Sequence, residues 1–103
     1  MTRIVVLFNL KERVDQAVYE GWARSADLPT VRALPSVGRF TVHPVSALLG
    51  SDVPPPYQYV EIIDIADMDR FGADIASETM QRIAGEFQSF ADNPVFMLTG
   101  SLD

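Results

Sequence analysis

The residues of this chain that can do chemistry are few, and most fall in two short stretches. Residues 39–45 hold Arg39, Thr41 and the single histidine, His43, and residues 57–65 hold Tyr57, Tyr59 and Glu61. An imidazole moves protons near neutral pH without further tuning. A carboxyl group set among apolar neighbours is pushed toward its neutral form, so Glu61 is suited to act as an acid or to orient His43 by hydrogen bonding. Tyr59, as a phenol, completes a catalytic set of His43, Glu61 and Tyr59. Arg39, Thr41 and Tyr57 are the ligand-binding candidates beside it, with Asn9 and Trp22 as more distant ones.

Each of these residues also has a plain structural reading. His43 can be a surface residue, and Glu61 can simply pair with Arg39. The tyrosines can be packing residues, and Trp22 can anchor the first helix. Asn9 can do no more than turn the chain at a strand end.

Several chemistries are disfavoured by what is missing. There is no cysteine and only one histidine, which argues against a zinc site and rules out disulfides. No glycine-rich phosphate loop and no nucleophile elbow occur. His43 is the lone candidate for a haem ligand, a weak signal. We therefore expect no cofactor and no metal. The formal net charge is −6. A basic face for nucleic acid is not expected from such a chain, and anionic membranes are disfavoured for the same reason. The apolar run at residues 4–8 is too short for a signal peptide or a membrane span, so the cytoplasm is the expected location.

The elements that must position these residues can be read from periodicity. Residues 57–65 are aromatic and β-branched, which is strand chemistry, and Pro54, Pro55 and Pro56 stop a helix from running into them. Residues 3–8 read as a buried first strand. Asp15 is a plausible N-cap for a helix reaching about residue 26, whose inner face would carry Val14, Val18 and Trp22. Asp27 before Leu28-Pro29 looks like a second cap, opening one short turn. Residues 39–45 form a strand containing Pro44, which suits a sheet edge. Asp67 caps a long helix running to about residue 91, with Phe71, Ile75, Met80, Ile83 and Phe87 on its apolar stripe. Residues 95–99 form the last strand.

The order strand, helix, strand, strand, helix, strand is the ferredoxin-like βαββαβ pattern, an α+β fold with a four-stranded antiparallel sheet in a single domain. Its first and third strands are central. Two helices cover one face of such a sheet, yet the first and last strands are apolar on both faces. Packing the second face against a second copy of the chain is the simplest remedy, giving a homodimer with a pocket between two sheets. With Phe40, Val42, Val60 and Ile62 turned to the helices, Arg39, Thr41, His43, Tyr57, Tyr59 and Glu61 would converge on that pocket.

The stretches TRIVVLFNL, YEGWAR, DLPTVR, YVEIIDI and FADNPVF together resemble the REDY-like proteins over nearly the whole chain. That resemblance implies a dimeric α/β barrel, the superfamily of cofactor-free monooxygenases, muconolactone isomerases, polyketide cyclases and haem-degrading enzymes. It further implies work in prodigiosin-type pigment biosynthesis, on a methoxy-bipyrrole carbaldehyde. Three roles follow. The first is an enzyme assisting condensation of a pyrrole-like intermediate, with other pathway enzymes as partners. The second is a non-catalytic carrier of that intermediate, and the third a cofactor-independent monooxygenase.

Overall fold

The computed structural model describes residues 2–102. Four strands, β1 (Thr2–Leu10), β2 (Val37–Pro44), β3 (Tyr59–Ile65) and β4 (Ala91–Thr99), form one antiparallel sheet in the order β2-β3-β1-β4. The helices α1 (Gln16–Trp22), α2 (Leu28–Arg32), α3 (Met68–Ile75) and α4 (Glu78–Phe90) complete the ferredoxin-like α+β fold. Pro44 lies on an edge strand, as its missing N–H requires.

Both helical connections are interrupted, and the breaks have local causes. Proline at position 29 has no N–H to offer the helix ladder. Just before it, residues Ala23–Asp27 widen into a π-helical turn, and the Leu28 N–H bonds back to the Ala23 carbonyl, five residues earlier. The helix therefore does not stop at Asp27. Asp27 has helical dihedrals and makes no side-chain cap, which corrects the expectation that it starts a new turn. In the second half, the Asp67 carboxylate caps α3 as expected, accepting from the Arg70 N–H at 3.1 Å. The long helix then ends at Ala76. The Ser77 hydroxyl starts α4 by accepting from the Met80 N–H at 3.3 Å, and the Gln81 side chain caps the Ile75 carbonyl at 2.9 Å.

The break at 76–77 brings Asp74 against the start of β2. Its carboxylate accepts from both the backbone N–H and the hydroxyl of Ser36, at 3.2 and 2.7 Å. Ser36 is fully buried. Asp74→Ala would leave that hydroxyl without its partner. It is expected to destabilise the protein by about 1–3 kcal/mol, read as a lower urea midpoint at unchanged slope.

Two bulges set the register. Gly38 is the extra residue between the pairs Val37–Ile65 and Arg39–Asp64, so Val37 and Phe40, three apart, can share a face. On β4, Asn93 and Pro94 together oppose the single residue Phe8. Asn93 takes a positive φ of 45° there. The bulge places the proline where no ladder bond is needed.

The helix-side face carries Ile4, Val6, Phe8 and Leu10 of β1 with Tyr59 and Ile65 of β3, all buried. Phe8 is the hub: its ring centroid lies 5.0–5.5 Å from those of Tyr19, Tyr59 and Phe87. The inner face of the first helical segment is Tyr19, Ala23, Asp27 and Val31, every one buried. Val18, expected to point inward, is 57 % exposed. Val14 and Trp22 do pack against the core from the edge of this face; a four-residue step is common to both stripes, so periodicity alone does not fix the phase.

Candidate active site

The pairing of β2 with β3 decides which side chains can meet. Phe40 lies opposite Ile63, and Val42 opposite Glu61; Thr41 lies opposite Ile62, and His43 opposite Val60. Directly paired residues share a face. Phe40 and Val42 do face the helices, as expected, but Tyr59, Glu61 and Ile63 go with them, while Val60 and Ile62 face away. The expected constellation is thereby split. Glu61 and Tyr59 lie under the helices; Arg39, Thr41 and His43 lie on the open face. The residues of β3 are apolar on both sides of the strand, so alternation alone leaves its phase undetermined. Tyr59 settles it by packing between Phe8 and Tyr19 with no exposed surface.

On the open face, the exposed His43 ring meets the Thr41 hydroxyl at 2.9 Å. Arg39 is exposed and lies opposite Asp64, which is ion-paired to Arg3 at 2.6 Å. Arg39 therefore does not pair with Glu61. Asn9 and Trp22 each tie one element to another. The Asn9 amide donates to the Pro56 carbonyl at 3.0 Å and accepts from the Gln58 N–H at 2.9 Å, pinning the chain that enters β3. The Trp22 indole donates to Glu86 at 2.8 Å and ties α1 to α4. Tyr57 is half-buried and precedes β3.

Between the sheet and α2, α3 and α4 lies a cavity of about 290 Å³, walled by apolar side chains that include Ile4, Phe40, Phe71, Met80 and Phe87. Helix α3 forms its outer wall and buries none of its own residues. Two carboxyl groups line this space, Glu61 from β3 and Asp27 from the end of the π-helical turn, and both are buried. The Glu61 Oε2 atom is buried without a hydrogen-bond partner, as is the hydroxyl of Tyr19. A buried acceptor with no partner is costly and marks a place where a ligand can supply one.

Burial, and then repulsion from Asp27, pushes Glu61 up to about 8 from its ordinary value of 4.5. Burial raises Asp27 to about 7. Tyr19 is also raised, by burial first and by the nearby Glu61 and Asp27 charges after it. Two carboxyls poised around neutral pH inside a largely apolar cavity are equipped to give and take protons. Behind them the Tyr59 hydroxyl donates to Glu20 at 2.8 Å, and Glu20 pairs with Arg24 at 3.3 Å. Among the described residues no group of three or more His, Asp or Glu side chains is placed to hold a metal ion. No helix there is long and apolar enough to cross a membrane.

Asp27 is the site residue that sequence reasoning missed. Its position before Leu-Pro suggested a cap. The usable signal was its spacing, four residues from both Ala23 and Val31, on a stripe where a carboxylate has no solvent. Single π-helical turns are frequent at functional sites, and this one ends on the buried Asp27.

Solved structures share this fold over essentially the full chain. HapK from Hahella chejuensis is 30 % identical, with a TM-score of 0.78, covering 99 % of this chain and 93 % of its own. SnoaB from Streptomyces nogalater, a cofactor-independent oxygenase, is 20 % identical, with a TM-score of 0.72 and coverages of 99 % and 93 %. A DABB family protein of Mesorhizobium loti with a ferredoxin-like fold is 13 % identical, with a TM-score of 0.73 and coverages of 99 % and 97 %. No curated protein matches the chain. The model of the family described as REDY-like protein HapK matches residues 2–102, and this protein belongs to that family.

Proposed function

We propose that this protein binds a small aromatic, pyrrole-like intermediate of pigment or antibiotic biosynthesis in the cavity beneath its helices and assists its condensation. The observation that carries this reading is the unpartnered Glu61 oxygen in an apolar cavity sized for a small organic molecule. Membership of the HapK family supports the pigment setting. In such a condensation an aldehyde carbon bonds to the α-carbon of a pyrrole and water departs. Glu61, protonated at neutral pH, gives its proton to the carbonyl oxygen. Asp27, in its carboxylate form, takes the proton leaving the pyrrole α-carbon. The second proton of the departing water comes from the pyrrole nitrogen, and the proton gained by Asp27 passes back to Glu61, so both groups end as they began. No redox partner is required.

The protein works as a homodimer in this reading, with the open sheet faces of two copies packed together. The rows Thr41–Ile62–Val5–Met97 and His43–Val60–Leu7–Val95 cross that face and are mainly apolar. His43 then belongs to the interface and not to the catalytic set.

The test is the rate of condensation of a methoxy-bipyrrole aldehyde with a monopyrrole, with and without protein, beside a titration of the aldehyde. Acceleration is expected, and Glu61→Gln is expected to abolish it while leaving affinity within about threefold. Binding without acceleration in the wild type would make the protein a carrier. Oxygen uptake with substrate would favour the oxygenase reading, which the likeness to SnoaB keeps in view. Absence of both binding and acceleration would remove the pyrrole ligand.

A further inference from the structure

The charge of the cavity lining has a consequence for which molecules can enter. Fifteen residues line the cavity; two are acids, two are the neutral amides Gln81 and Gln88, and none is Lys, Arg or His. Glu61 is only 5 % exposed and Asp27 4 %, so water does little to screen them. The other ionisable groups facing them are also acidic. Tyr19 of α1 lies within electrostatic reach of both, and Tyr59 with its partner Glu20 lies behind it. Helix α4 lines this space with apolar side chains and the two neutral amides, and with no ionisable group. Nothing within the lining can neutralise a carboxylate there.

We propose that Asp27 and Glu61 act as one recognition unit that selects ligands carrying a positive charge on a flat ring system with an N–H donor, the ligand supplying the countercharge that the cavity lacks. This deepens the proposed function and rests on its placing of the ligand in this cavity. A cationic heteroaromatic satisfies the unpartnered Glu61 oxygen with its N–H and fills the apolar walls with its ring. An anion of the same shape meets two acids and no donor stronger than an amide. Binding such a cation draws Glu61 into its charged form, so a proton leaves the protein as the ligand enters; the neutral aldehyde leaves Glu61 protonated, and the cation that suits the charged pair is the protonated, conjugated product of the condensation.

The experiment is isothermal titration of the wild-type protein at about pH 7 with three two-ring probes of similar size: 4-aminoquinoline (a cation), 1-naphthol (neutral) and 1-naphthoate (an anion). The cation is expected to bind at least roughly tenfold more tightly than the anion. Its binding enthalpy should change with the ionisation enthalpy of the buffer, in the sense of proton release. Asp27→Asn and Glu61→Gln, combined, should bring the three affinities within about threefold of one another and abolish the buffer dependence. Tight 1-naphthol binding with no preference for the cation would overturn the charge selection and leave the cavity reading intact. A preference that survives the double substitution would also overturn it. If none of the three probes binds, both readings fall.

Discussion

Raising the pH from about 5 to about 8 is expected to lower the melting temperature of the ligand-free protein, and Glu61→Gln is expected to remove most of that loss. The folded protein holds Glu61 protonated up to about pH 8, whereas the unfolded chain releases that proton near 4.5. Between those values the folded state binds more protons than the unfolded state, so stability falls as the pH rises and levels off above the folded value. Asp27 acts in the same direction, between its ordinary 3.8 and about 7. The gap at Glu61, from 4.5 to about 8, sets a ceiling of about 5 kcal/mol at roughly 1.4 kcal/mol per pH unit. Part of that shift is repulsion from Asp27, so the two contributions do not simply add. A loss of only half the ceiling would lower the melting temperature by more than about 10 °C in a domain of this size.

The exposed Arg3–Asp64 pair works in the other direction. Asp64 is held below its ordinary value of 3.8 by its hydrogen bond with Arg3, so its contribution is lost only in stronger acid, outside this window. Differential scanning fluorimetry across the range decides the matter. A flat or rising profile in the wild type, or an unchanged slope in Glu61→Gln, would mean that Glu61 is not a buried neutral acid.

Under the proposed sheet-to-sheet packing, the wild type is expected to be a dimer and Ile62→Lys a monomer with little change in the stability of the single chain. Ile62 sits on central strand β3, away from the helices, between Thr41 and Val5 in its row. In the single chain its face is only partly covered, and a lysine there can extend its charge into water. In a sheet-to-sheet dimer the same charge would be buried against apolar neighbours with no partner, which costs several kcal/mol. The neighbouring row Arg3–Asp64–Arg39 already holds the charges that end the apolar patch. Light scattering after gel filtration is the measurement. A wild-type monomer at micromolar concentration, or a dimer that survives Ile62→Lys, would remove the open face as the interface.

Much of the architecture was legible because it depends on local chemistry. Proline at 44 announces an edge, Asp67 announces a helix start, and the alternation of connection types sets the strand order. Pro29 was visible as a residue type, though its outcome was not, because a helix can end at such a point or continue through it and neighbouring elements choose; the break at Ser77 lies inside one apolar stripe and left no such signal. Pro29 sits in a segment held down on the sheet by Tyr19, Ala23 and Val31, so the chain widens into a π-helical turn and carries on.

The order of elements, the identity of the edge strands and the presence of two apolar sheet faces, of which the helices can cover one, are all legible in the sequence. These follow from period, proline and capping chemistry, which act over a few residues. Which side of β3 faces the helices, and with it the whole site, depends on long-range packing. A strand apolar on both sides has two equally good phases, and the choice came from the packing of Tyr59 against Phe8 and Tyr19, residues about 40 to 50 positions away. That packing carries Glu61 inward, brings it within reach of Asp27 from another element, and sends His43 to the opposite face.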